Sequence, residues 1–230
     1  MTTYRAPGAL RGSAPIVRTV LWPTRRQLSV RGPRLIGGLI IVAIGVALMV
    51  KAGFGLSPYE VLNQGLATRT PLTIGQASIA IGVVVLFTWV PLRQRPGLGT
   101  LANIVGVGLM LDAWLYVLPE PELMTVRLLW SFLGVLLVGA GIGLYIGAGL
   151  GPGPRDGVMT GLAAKGFPVW AVRLVLESSA LLLGWHLGGT VGLGTVAFAL
   201  GVPIVADRSL KLLSVPDDPV RSRPPPTTRG

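Results

Sequence analysis

Residues 147–163 read GAGLGPGPRDGVMTGLA, and residues 51–67 read KAGFGLSPYEVLNQGLA. At an offset of 96 the two share Ala, Gly, Gly, Pro, Gly, Leu and Ala, and Glu60 stands against Asp156. Further on, GLGTLA at 97–102 matches GLGTVA at 192–197 with an offset of 95, and earlier Gly38 and Gly45 match Gly134 and Gly141. Three collinear blocks at nearly one offset mark an internal repeat. Within each copy the glycines and prolines (Gly53, Gly55 and Pro58; Gly149, Gly151, Pro152, Gly153 and Pro154) break one helix, and the last proline suits the opening turn of the next. The helical piece that follows runs for about 9–12 residues. At 1.5 Å per residue it is too short to cross a bilayer but long enough to re-enter one.

The surroundings of these segments are apolar. Of 230 residues, 51% are hydrophobic and 13% charged, and the mean hydropathy is +0.67. Residues 35–50, 71–92, 128–154 and 178–206 contain no Asp, Glu, Lys or Arg. Uncharged apolar runs of roughly 18 residues or more read as membrane spans. A soluble protein is excluded, and the absence of cysteine removes disulfides, thiolate metal sites and cysteine nucleophiles. Six spans fit, at about 35–52, 74–92, 98–118, 128–148, 170–187 and 193–210.

The net charge of +11 is concentrated where membrane flanks carry it rather than where nucleic acid would bind. Seven arginines precede the first span with no acid among them. With the amino end inside, sixteen basic residues fall on inner segments and three (Lys51, Arg69 and Arg127) on outer ones. That asymmetry predicts both termini in the cytoplasm. The predicted layout is a basic cytoplasmic segment 1–34, a first three-helix unit 35–118, an outer loop 119–127, a second unit 128–210 and a disordered basic cytoplasmic tail 211–230. Three spans per unit is an odd number, so the second copy enters from the opposite side. The expected fold is an all-α polytopic membrane protein of two inverted repeats, each with a re-entrant or broken Gly-Pro helix segment.

Matching interruptions in two halves are the best sequence pointer to a transporter's binding site. After Pro58, Glu60, Asn63 and Gln64 fall at i, i+3 and i+4 on one helix face; after Pro154, Asp156 and Thr160 fall at i and i+4 beside Arg155. These six are the candidate substrate-binding residues. A helix start offers free N–H groups and a positive dipole end, which suit an anion. The competing reading is simple: acids in a first turn favour any helix, and Glu60 and Asp156 would then only cap. The string lacks Gly-Lys-Ser/Thr and GxGxxG, so it is no nucleotide loop.

Asp112, Arg173 and Glu177 lie within predicted spans, where a charge costs about 2.5–3.5 kcal/mol on insertion scales. Arg173 and Glu177 read as a neutralising i, i+4 pair, and Asp112 as lying near the outer end of its span. His186 reads as interfacial, and Trp22, Trp89, Trp114, Trp130, Trp170 and Trp185 mostly as an aromatic belt at span ends. Gly139, Gly143 and Gly147 form overlapping GxxxG patterns, suited to close helix packing within or between subunits, including a homo-oligomer.

At GAGLGPGPRDGVMTGL the chain resembles the YczE group of the YczE/YyaS/YitT family of bacterial integral membrane proteins. GFGLSPYEVLNQGLATRT and LRQRPGLGTLANIVGVGLMLD resemble companion segments of that family, and the resemblance spans roughly residues 20–210. It implies a polytopic plasma-membrane protein but supplies no substrate and no site residues. The expectation from the residues themselves is a secondary transporter or permease for a small solute, an anion being one class it would suit. The alternative is a non-transporting membrane scaffold or assembly factor. An enzyme has no nucleophile–base motif to support it. No cofactor, metal or nucleic acid is expected, and the expected partners are the lipid bilayer, the solute and a second copy of the chain.

Overall fold

The computed structural model describes residues 3–4, 17–18, 20 and 23–213. Trp22, most of the basic segment before α1 and the tail from 214 lie outside the described residues. Thr3–Tyr4 (β1) pairs antiparallel with Val17–Arg18 (β2), a two-residue ladder that the all-α expectation did not include.

Among the described residues all other elements are helices. α1 (Arg25–Ala52) is followed by a short α2 (Pro58–Arg69), α3 (Ile74–Phe87), then α4 (Leu98–Ala102) and α5 (Gly108–Val117), joined through a π-helical turn at Asn103–Val107. The second half repeats the order: α6 (Met124–Gly147), a short α7 (Pro154–Ala163), α8 (Val169–His186) and α9 (Leu193–Leu213). α1 starts ten residues before the expected span. Thr24 caps it reciprocally with Gln27, and Pro33 lies inside it. Residues 211–213 of the expected disordered tail instead belong to α9, and the rest of that expectation lies outside the described residues.

Local chemistry explains the breaks. Gly53 ends α1 at φ 71°, and Ser57 then caps α2 by accepting the Glu60 N–H at 3.2 Å, with Pro58 in the first turn. Pro154 opens α7 in the same way behind Gly153. Gly55 and Gly151 take φ 112° and 135°, which L side chains rarely adopt, and both approach a facing backbone closely.

α1 and α6 form the most extensive helix pair. A Cβ on Gly38 would lie 2.9 Å from the Gly141 carbonyl, and one on Gly134 would lie 2.7 Å from that of Gly45. As one number rises the other falls, so the helices are antiparallel, packed backbone to backbone. Other contacts also recur in pairs. Arg127 donates to the Ala52 carbonyl (2.9 Å) and Arg31 to that of Ala148 (3.0 Å). Gly99 N–H donates to Leu150 and Gly194 N–H to Phe54, both at 2.8 Å.

Three described helices are long and apolar enough to cross a membrane: Arg25–Ala52, the bulged run Leu98–Val117 and Met124–Gly147. A fourth is added if α2 and α3, bent by 116°, count as one. α3 has 14 residues rather than the 19 expected for 74–92, because the chain turns after Phe87. At 1.5 Å per residue that is about 21 Å, short of the ~30 Å hydrocarbon core. α8 carries Arg173 and Glu177 in its first half. Large apolar side chains face outward, including Phe87, Trp170, Leu193 and Leu200, as suits a lipid-facing surface.

Candidate functional site

A cavity of about 240 Å³ lies where the starts of the two short helices meet. α2 and its N-cap contribute Ser57, Tyr59, Glu60 and Asn63; α7 contributes Arg155, Asp156 and Met159; α8 contributes Arg173 and Glu177. Asn103 of the π-helical turn and Asp207 of α9 also line it, between walls of Val42, Val46, Val107, Val138 and Val202.

Glu60 is only 5% exposed. One of its oxygens accepts the Asn63 amide N–H at 2.9 Å, and the other stands 3.7 Å from the Arg155 guanidinium. Arg155 in turn lies over the Tyr59 ring, 4.3 Å from its centroid. Asn63 is also buried, and its Oδ1 has no hydrogen-bond partner. Arg173 and Glu177 are paired at 2.9 Å. Asp207 pairs with Lys211 at 2.6 Å. Asp156 sits half-buried in the first turn of α7; a Cβ on Gly153 would lie 3.1 Å from its Oδ2 and 2.8 Å from the Tyr145 hydroxyl.

Of the six candidates from the sequence, Glu60, Asn63, Arg155 and Asp156 line this cavity, and Gln64 and Thr160 do not. Gln64 Oε1 accepts the Thr190 N–H at 2.7 Å, which ties α2 to the loop before α9. The Thr160 hydroxyl donates to the Gly157 carbonyl of its own helix. Helical spacing puts both on the right face, but a neighbouring loop and the helix backbone claim them first. Arg173 and Glu177 form the expected pair and also face the cavity.

The remaining singled-out residues divide between those that gain partners and those whose expectation changes. Asp112 is half-buried and structural: it accepts the Thr73 hydroxyl and, at 2.8 Å, the Gly75 N–H, so it holds the start of α3 against α5. Trp89 is not a belt residue. It is 2% exposed, donates to the Pro154 carbonyl at 2.9 Å and lies over Gly157. Gly139 and Gly143 are used inside the chain. A Cβ there would meet Val205 at 2.6 Å and Ser209 at 2.4 Å, so they bed α9 on α6 and present no free surface for a second copy. His186 is exposed at the end of α8. The sequence reading missed Tyr59, Tyr145, Asn103 and Asp207; for Asn103 the missing signal was the π-helical turn, which has no local pattern. Among the described residues no three His, Cys, Asp or Glu converge as a metal site.

Comparison with known proteins gives the family of the chain. Residues 31–208 match the model of a family of unknown function, DUF6198. An uncharacterized protein of Haemophilus influenzae is 39% identical over 198 residues, covering 85% of this chain and 89% of its own. The uncharacterized membrane protein YczE of Bacillus subtilis is 36% identical over 189 residues, covering 81% and 88%. The uncharacterized protein YyaS of the same organism is 26% identical over 166 residues, covering 69% and 82%. No solved structure matches the chain. With a family match over most of its length, a membrane-protein relative and helices of spanning length and apolarity, this chain is an integral membrane protein that belongs to the DUF6198 family, akin to YczE.

Proposed function

We propose that the protein is a secondary transporter or permease for a small solute. It is a multi-pass protein of the plasma membrane with six spans arranged as two inverted repeats and both termini in the cytoplasm. The observation that carries this reading is the make-up of the cavity, which draws on equivalent positions of the two halves. At an offset of 96, Val42 corresponds to Val138, Tyr59 to Arg155 and Glu60 to Asp156; at 95, Ser78 corresponds to Arg173, Gly82 to Glu177 and Val107 to Val202. Both members of every such pair line the cavity. The antiparallel α1–α6 seam, with its crossed glycine contacts, supports a pseudo-two-fold axis through this point. A site on such an axis, at the starts of broken helices, is what alternating access requires. A scaffold needs no charged internal cavity, so that alternative draws less support.

In this reading Glu60 and Asp156 hold a coupling cation or proton, because they are the acids at the two helix starts and one of them is fully enclosed. The test is uptake into proteoliposomes across a screen of solutes, with ion gradients varied. Glu60→Gln and Asp156→Asn should abolish coupled uptake while membrane insertion and yield stay near normal. Glu122→Gln, in the exposed loop between α5 and α6, should leave it unchanged. Uptake that survives both cavity substitutions would return the two acids to a capping role.

A further inference from the structure

The charge balance and one unpartnered atom define what this cavity accepts. Among the described residues, four carboxylates line it (Glu60, Asp156, Glu177 and Asp207) against two guanidiniums, Arg155 and Arg173. Lys211 neutralises Asp207 from outside the cavity. With all four carboxylates ionised, an excess of one negative charge remains, and its most enclosed member is Glu60, 5% exposed. An anion would add to that excess; a cation would cancel it.

Asn63 points to the same conclusion on different grounds. Its side chain is 3% exposed, and its Nδ2 is spent on the Glu60 carboxylate. That bond fixes the amide orientation, since the carbonyl oxygen facing a carboxylate would be repelled. Oδ1 is therefore a buried acceptor with no donor, on a side chain that lines the cavity. Buried acceptors are satisfied in the great majority of cases, so this one is fitted to a donor from a ligand. Glu60 beside it supplies the opposite charge. Arg155 holds Glu60 only loosely: at 3.7 Å it is beyond a good hydrogen bond, and its side chain is 40% exposed. It acts as a built-in counter-ion that an incoming cation displaces. Val42, Val46, Val107, Val138 and Val202 supply an aliphatic part of the wall, and at about 240 Å³ the space is smaller than the ~300–1,000 Å³ of sites for drug-sized molecules.

We propose that the cavity binds a small protonated primary amine, its ammonium shared between the Glu60 carboxylate and Asn63 Oδ1 and its hydrocarbon body set against Val42, Val46, Val107 and Val138. The proposal rests on the transporter reading for the location of the site, but it concerns binding alone. It also reverses the sequence expectation that the helix starts suit an anion.

The test is calorimetric titration of the full-length protein in lipid nanodiscs, with empty nanodiscs subtracted. The probes are a series of primary ammonium ions from methylammonium to cyclohexylammonium, the anion cyclohexanecarboxylate and tetramethylammonium. At least one primary ammonium ion should saturate the site, cyclohexanecarboxylate should not, and tetramethylammonium, which has no N–H to offer Asn63, should bind more weakly. Glu60→Gln should weaken amine binding by about tenfold or more, the worth of a hydrogen bond to a charged group. It keeps an acceptor for Asn63, and its melting temperature checks that it folds. Asn63→Leu should weaken the primary amine and leave tetramethylammonium unchanged. Arg155→Gln should tighten amine binding by about two- to fivefold, the worth of a half-exposed ion pair. Three results overturn the proposal: saturation by the carboxylate, weakening of amine binding by Arg155→Gln, or no saturation by any primary amine of the series. Amine binding without uptake into proteoliposomes would refute transport and leave the amine site standing. Uptake of an anion instead would leave transport standing and refute the amine site.

Discussion

Glu60 and Asn63 depend on each other. Both are buried, and each satisfies a polar atom of the other. Glu60→Ala would leave the Asn63 amide N–H buried without an acceptor, and an orphaned buried donor costs about 1–3 kcal/mol. Glu60→Gln keeps an oxygen in place. Thermal unfolding in detergent should therefore rank the wild type above Glu60→Gln and Glu60→Ala last. If Ala is as stable as Gln, the hydrogen bond contributes nothing to the fold. Glu60 and Asn63 could be read from the sequence because i, i+3 spacing fixes their face. The same spacing misassigned Gln64, because Thr190, far away in sequence, takes its oxygen.

Helix pairs in this molecule meet through glycine. On α1, Gly38 faces the Gly141 carbonyl at a distance that leaves no room for a Cβ, while a Cβ on adjacent Gly37 would meet only the flexible end of Leu144 at 3.8 Å. Gly38→Ala should destabilise the protein by about 1–3 kcal/mol through overpacking. Gly37→Ala should be neutral, or stabilise by up to about 1 kcal/mol through helix propensity. Equal melting temperatures for the two variants would refute the backbone-to-backbone seam. The halves also differ where glycine is lost. Gly75 and Gly108 bring α3 against α5, each with room for no Cβ; at an offset of 95 their counterparts are Trp170 and Pro203, and α8 and α9 share no comparable contact. The repeat is read from the Gly-Pro blocks, but this asymmetry appears only once the helices are packed.

Over the whole molecule, charge and helix length together bear on how the chain threads the bilayer. The basic residues of the sequence predict six spans with inner termini, while three to four helices meet the demands of length and apolarity. The chain has no cysteine, so single cysteines at Thr2, Glu122 and Thr228 can be probed in intact cells with an impermeant thiol reagent. Only the one at 122 should react. Labelling at 2 or 228 would overturn the orientation. Labelling at 2 and 122 but not 228 would mean an odd number of crossings, and the inverted arrangement would fall with it.

The sequence by itself determined the membrane class, the places where helices break and the recurrence of those breaks. These follow from composition and from Gly and Pro, whose effects act within a few residues of themselves. Only the tertiary structure decided which polar groups share a cavity, that Trp89 is buried on Gly157, and that Gly139 and Gly143 serve α9 rather than a second copy. Those outcomes join residues tens of positions apart. Local propensity carries no information across such distances; the shape of the packed helices does.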